Sequence, residues 1–358
     1  MEKPIAIIGA GNGGQAFAAY LSLHGHPVKI FDVVQSTVDE LTRLGGVELT
    51  GNADITGFGK IELASTDIGA VMEGAEIILV VLPSIYHRSM AKAMAPHLKD
   101  GQIVILNPNA SLGTVEFRKE LDDCGVTANI ILGCTATLLF ACRADRIGHV
   151  IVSGQKTGFT ASTYPASYND YAAEKLRNVL PQFEFCEDII RVSLDNLNCF
   201  MHPAPTLLNT GRIESGVDFE YYLGMTPSQG AVVDALDRER MAIAEAFGVH
   251  CRTLVDEYIN ICGTHGTNVY EVCTNAKHYY AGIKGQKSLR TRYILEDIPC
   301  SLVAFQSMGK LAGVPTPTAD ALVALARVMV PEVEEGRTLK NLGLEGVTKE
   351  AFIKLCRG

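Results

Sequence analysis

Two segments of this sequence bring together residue types suited to proton transfer and to recognition of a carboxylate. The first is Asn196-Leu197-Asn198-Cys199-Phe200-Met201-His202-Pro203-Ala204-Pro205-Thr206. It reads as a helix with Asn198 one turn before His202, so that both share a face, followed by a proline stop. An imidazole can take and return a proton at physiological pH, which makes His202 a candidate general acid/base. A histidine satisfied inside a structural core is the competing reading. The second segment is Arg290-Thr291-Arg292-Tyr293-Ile294-Leu295-Glu296-Asp297-Ile298-Pro299. A planar guanidinium suits two-pronged binding of a substrate carboxylate, and a carboxylate such as Asp297 can orient an imidazole and stabilise its protonated form. A charged helix end closed by its own salt bridges has the same spacing. Of the remaining histidines, His24, His26, His97, His250, His265 and His278 lie in polar surroundings, His87 opens a helix, and His149 has no evident partner.

A third segment, Gly9-Ala10-Gly11-Asn12-Gly13-Gly14, carries the pattern of a dinucleotide-binding turn. Its glycines allow a tight turn and close approach of a pyrophosphate, and the helix that follows offers amide donors at its N-terminus. Gly9, Gly11, Asn12, Gly13 and Gly14 are therefore candidate cofactor residues. Asp32 stands 18 residues after Gly14 at the end of the second strand, where a carboxylate accepts from an adenosine ribose. It would repel a 2′-phosphate, and Val33-Val34-Gln35-Ser36 supplies no cation to hold one. NAD is thus favoured over NADP. The loops beginning at Pro83 and at Asn107 follow central strands and can line the same ligand.

The elements that must carry these groups alternate early in the chain. Ile5–Ile8, Val28–Phe31, Ala75–Leu82, Ile103–Leu106 and Asn129–Leu132 are apolar and β-rich, with helical periodicity in residues 12–25, 36–44, 87–97 and 116–121 between them. A further short strand is expected at Ile61–Leu63. Strands alternating with helices predict a parallel, doubly wound sheet. Residues 138–143, 148–153 and 157–162 read as short antiparallel strands, 168–180 as a helix, and 231–247, 252–262, 301–312 and 318–329 as helices, the last capped by Thr318. The expected class is α/β plus all-α, with residues 1–190 a Rossmann domain bearing an antiparallel extension and 191–358 a helical domain for substrate binding and dimerisation.

Composition excludes several functions. Of 358 residues, 47% are hydrophobic and 20% charged, with a net charge of −9, so the chain is neither disordered nor equipped with a basic nucleic-acid footprint. No apolar run is long enough to span a membrane. The ten cysteines fall outside the first 123 residues and form no CxxC or zinc-spaced cluster, which predicts reduced thiols in the cytoplasm and no metal site.

The chain also resembles the octopine/nopaline dehydrogenase family of opine dehydrogenases over essentially its whole length. The resemblance is carried by Gly9–Tyr20, Leu106-Asn107-Pro108, Met201-His202-Pro203 with Pro205–Asn209, Thr291-Arg292-Tyr293 with Glu296-Asp297, Val314–Pro317 and Gly336–Leu339. It implies NADH-dependent reductive condensation of a 2-oxo acid, usually pyruvate, with the amino group of an L-amino acid through an imine. It further implies His202 as acid/base, Asp297 as its partner, Arg292 as carboxylate anchor, Asn198 and Thr206 as substrate contacts, and a homodimer. Relatives often have Glu-Thr where this chain has Cys134-Thr135, which makes Cys134 a candidate cofactor contact. The rivals are a simple 2-oxo-acid reductase or glycerol-3-phosphate dehydrogenase relative, which typically use a lysine in the helical domain, and a non-catalytic NAD-binding sensor.

Overall fold

The computed structural model describes residues 3–358, which divide into two compact units. One comprises the chain up to Asn109, Gly113–Val192 and Leu355–Gly358; the other comprises Ala110–Leu112 and Ser193–Lys354. The single crossing expected at 190/191 is therefore corrected. Residues 110–112 belong with the helical unit, and the last four residues belong with the first unit. There Arg357 Nε meets Asp188 Oδ2 at 2.7 Å and Cys356 is buried.

The first unit is built on two sheets. Its strands are β1 (Ile5–Ile8), β2 (Val28–Phe31), β3 (Gly46–Gly51), β4 (Gly57–Lys60), β5 (Leu63–Ser65), β6 (Ile77–Val80), β7 (Ile103–Leu106), β8 (Ile131–Thr135), β9 (Phe140–Arg146), β10 (His149–Gln155), β11 (Phe159–Tyr164) and β12 (Phe183–Phe185). The larger sheet has the order β12-β11-β8-β7-β6-β1-β2-β5. β1 pairs in parallel with β2 and β6, and β7 with β6 and β8. All four residues of β1 and of β7 are buried, as strands covered on both faces require.

The smaller sheet, β4-β3-β10-β9, departs from the expectation. β9 and β10 are antiparallel, but β10 runs parallel to β3 on its other side, and β11 joins the large sheet, antiparallel to β8 and parallel to β12. The strand expected at 61–63 is instead split: β4 ends at Lys60 and β5 begins at Leu63. The helix Asn12–Leu23 packs its apolar face on this sheet. A Cβ on Gly59 would stand 2.5 Å from the Ala19 backbone, so only glycine permits that approach.

The second unit is helical. Pro227–Phe247 starts earlier than its periodicity suggests, because Thr226 and Gln229 form a reciprocal cap and Pro227 opens the first turn. The helix Pro317–Met329 is not capped by Thr318. Its preceding residue is Thr316, and the Thr318 amide instead donates to Glu239 Oε1 at 2.7 Å, so the neighbouring helix supplies the carboxylate.

Candidate functional site

His202 sits at a junction of two short helices, Asn198–Met201 and Pro203–Leu208. Its amide donates to the Asn198 carbonyl at 3.0 Å, closing the first helix. Pro203 does not end helical structure, as the sequence suggested; lacking an N–H, it opens the second helix. The imidazole is buried and its Nδ1 lies 2.8 Å from Asp297 Oδ2. Tyr293 covers one ring face, with centroids 3.7 Å apart and planes within 6°. The Tyr221 hydroxyl donates to the His202 carbonyl at 2.7 Å. With its one proton so used, its oxygen accepts from Thr206 Oγ1 at 2.9 Å.

Asp297 precedes a π-helical turn, Ile298–Leu302. Such a turn leaves backbone groups poorly paired, and Arg337 answers this one. Its fully buried guanidinium donates to the carbonyls of Cys300 and Ser111 at 2.9 and 2.8 Å. The Arg337 amide donates to the Pro299 carbonyl at 2.9 Å. Gly336 makes this approach possible: its φ is +77°, and a Cβ there would lie 2.3 Å from the Pro299 oxygen. Around the buried Asp297 carboxylate the other groups stay neutral. Burial first, and the Asp297 charge second, hold the Cys199 thiol well above its ordinary value. Burial likewise raises the phenols of Tyr221 and Tyr293, again reinforced by Asp297. Among these neighbours His202 is the one hydrogen-bonded to the carboxylate.

The proposed substrate residues fare differently. Arg292 opens the short helix Arg292–Leu295 and is exposed, with Nε 3.4 Å from the buried Glu296 Oε2. The salt bridge that a charged helix end would form is thus present, but it uses Nε, and two-pronged carboxylate binding can use the Nη edge. Asn198 is exposed. Thr206 is fully buried, and its hydroxyl is bonded to Tyr221, which in turn holds the His202 carbonyl. The structure adds Tyr221 and Tyr293. Tyr293 was visible one turn before Asp297 in the sequence, whereas nothing near Tyr221 announced its bond to His202.

In the first unit, β1, β6 and β7 lie side by side and parallel, so the loops after them share one edge of the sheet. Gly9 has φ +110°, and a Cβ there would meet Val81 O and Leu82 Cδ2 at 2.5 Å. A Cβ on Gly14 would stand 1.7 Å from Gly9 O, and one on Gly13 2.9 Å from Leu138 Cδ2. Gly11 differs. It precedes the helix and its missing Cβ faces open space, the cradle a pyrophosphate would fill. The Asn12 side chain is occupied, accepting from the Ala144 amide at 3.1 Å, so its contribution is the backbone N–H of the helix start.

Asp32 is half-buried at the end of β2. Oδ2 accepts from the Ala10 amide at 2.8 Å and Oδ1 from the Val34 amide at 2.9 Å, which ties the carboxylate to the glycine turn. Asn107 is fully buried after β7, yet neither polar atom of its amide has a partner, a deficit that a ligand group at this edge would remove. Pro83 is exposed just beyond β6. Cys134 lies on β8. Its side chain is buried within the first unit, where burial, with Cys186 nearby, pushes its thiol well up. Among the described residues no group of three His, Cys, Asp or Glu side chains could hold a metal, and no helix is long and apolar enough to cross a membrane.

An opine dehydrogenase of Arthrobacter sp. (strain 1C) is 39% identical to this chain over 350 residues, covering 97% of both. The chain belongs to the opine dehydrogenase family. The family model described as NAD/NADP octopine/nopaline dehydrogenase, alpha-helical domain, matches residues 185–330 of this opine dehydrogenase family member. That described as NAD-dependent glycerol-3-phosphate dehydrogenase N-terminus matches residues 4–109. The likeness to glycerol-3-phosphate dehydrogenases remains partial: the enzyme of Agathobacter rectalis is 33% identical over 108 residues, 28% of the chain. Among solved structures, octopine dehydrogenase with NADH and L-arginine superposes with a TM-score of 0.83 at 19% identity, covering 99% of both chains. A ketopantoate reductase of Ralstonia eutropha superposes with a TM-score of 0.62 at 19% identity, over 91% of this chain and 98% of that one.

Proposed function

We propose that this opine dehydrogenase condenses a 2-oxo acid, pyruvate foremost, with the amino group of an L-amino acid and reduces the resulting imine with NADH. The Nδ1···Oδ2 contact between His202 and Asp297 carries this reading, because it fixes one nitrogen and leaves the other for substrate. Octopine dehydrogenase, of the same fold, has been solved with NADH and L-arginine and with NADH and pyruvate. The open side of Gly11, the unsatisfied Asn107 amide and the Asp32 carboxylate fit NAD(H), and the last disfavours a 2′-phosphate.

In this mechanism Arg292 holds the oxo acid through its carboxylate. Asp297 accepts Nδ1–H and so sets the tautomer in which Nε2 faces the reacting atoms. His202 Nε2 takes a proton from the substrate ammonium; the neutral amine adds to the keto carbon, and one of its remaining protons passes to the keto oxygen to give the carbinolamine. His202 then returns a proton to the carbinolamine hydroxyl, which departs as water and leaves the imine. Bound NADH supplies the hydride that reduces the imine carbon. The ten cysteines, none of them in a disulfide, support a reducing compartment, the cytoplasm. Dimerisation of the helical unit belongs to the same reading.

The test is NADH oxidation with pyruvate alone and with pyruvate plus each proteinogenic amino acid. Turnover that depends on an amino acid is expected. An equal rate with pyruvate alone would identify a simple oxo-acid reductase instead.

A further inference from the structure

We propose that Tyr293 is a positioning residue for the proton-transfer step, its ring face holding the His202 imidazole in one plane. This rests on His202 being the acid/base. The hydrogen bond from Nδ1 to Asp297 restrains the imidazole at one edge only and still tolerates tilting of the ring out of its plane. A second ring lying flat at 3.7 Å, with planes only 6° apart, removes that freedom and fixes where Nε2 points.

Tyr293 is itself braced. Tyr221 meets it edge-on, with centroids 5.4 Å apart and planes at 63°, and the same Tyr221 holds the His202 carbonyl. Tyr293 also lies four residues before Asp297, so one stretch of chain delivers both the in-plane and the out-of-plane partner of the imidazole.

The charged and titratable groups around the histidine are few. Asp297 meets its ring edge, and Tyr293 covers a face. Tyr221 bonds its carbonyl, and the Cys199 thiol lies near the Asp297 carboxylate one helical step earlier. Arg292 and Glu296 flank the pair, and the Arg292 charge reaches the Tyr293 phenol. Burial keeps that phenol protonated, so Tyr293 acts through its ring and not by giving up a proton.

The experiment compares Tyr293→Met, Tyr293→Phe and His202→Gln in the full chain, measuring kcat and KM for both substrates. Tyr293→Met is expected to lower kcat by about 10–100-fold, the scale of a misplaced proton donor, with KM near that of the parent. Tyr293→Phe, which keeps the face and removes the hydroxyl, recovers most of the rate. Tyr293→Leu serves the same comparison if the thioether does not pack. A non-aromatic variant with parental kcat overturns the proposal, as does a Phe variant as impaired as Met. Full activity in His202→Gln would instead overturn the assignment of the acid/base, a separate result.

Discussion

The Tyr221 hydroxyl donates to the backbone carbonyl of His202 at 2.7 Å, and Thr206 completes the bond network from the other side at 2.9 Å. The catalytic segment is therefore held by its main chain as well as by its ring. Tyr221→Phe keeps the buried ring but strands the Thr206 hydroxyl. A loss of about 1–2 kcal/mol in unfolding free energy is expected from denaturant midpoints, with kcat changed by less than about tenfold. An undiminished midpoint would show that this network adds nothing to stability.

Asp297→Asn replaces the acceptor of Nδ1–H by a group that can also donate, and the imidazole tautomer is no longer fixed. A fall in kcat of about 10²–10⁴-fold is expected, with NADH affinity unchanged. Steady-state kinetics alongside fluorescence titration of NADH separates the two effects.

Arg292→Lys preserves charge and removes the two-pronged edge. KM for the oxo acid should rise by about 10–100-fold while KM for the amino acid moves less. A uniform fall in kcat with both KM values intact would place Arg292 outside carboxylate recognition. Arg292 is itself exposed, and lysine keeps a cation beside the buried Glu296 carboxylate, so little change in stability is expected, within about 1 kcal/mol.

Two glycines of the same turn should fail in opposite ways. Gly11→Ala has room in the folded chain but projects into the pyrophosphate cradle, so thermal stability stays near the parent while NADH affinity falls by about tenfold or more. Gly14→Ala would force a methyl to 1.7 Å from Gly9 O, so it should lower the melting temperature outright. Equal thermal losses in both variants would remove the distinction.

Lys156 gives a pH signature. Burial pushes its ammonium down to about 8, and Nζ donates to the Leu138 carbonyl at 2.9 Å. The unfolded value is about 10.4. Between these two values the unfolded chain binds more protons, so this group makes stability rise with pH across that window; below about pH 8 the burial cost is present in full. Lys156→Met should raise stability near neutral pH by roughly 1–2 kcal/mol, after the lost hydrogen bond is counted, and should flatten the rise above pH 8. Chemical unfolding at several pH values reads both.

The glycine turn, its strand and its helix were legible because each depends on neighbours in sequence: an apolar run, glycines at fixed offsets, and a carboxylate at the next strand's end. His202 and Asp297 were legible as residue types, and the family resemblance paired them across 95 positions. What escaped the sequence depends on long-range packing. β3 is flanked by glycines and pairs with β10 from a hundred residues away. The family resemblance singled out Thr206, but its burial and its bond to Tyr221 are set by the fold. Cys134 matched a position of interest in relatives, yet a β-strand alternates its faces, and here the thiol points into the core.

The inclusion of Leu355–Gly358 in the first unit also sets an order of assembly on the ribosome. Residues up to Val192 emerge about 160 residues before those last four. At ordinary elongation rates that interval is about 10–30 s. Throughout it Asp188 lacks Arg357 and the space taken by Cys356 is unfilled. The half that is translated first is thus completed only after the helical half has been made, and the nascent dinucleotide unit must wait for Leu355–Gly358.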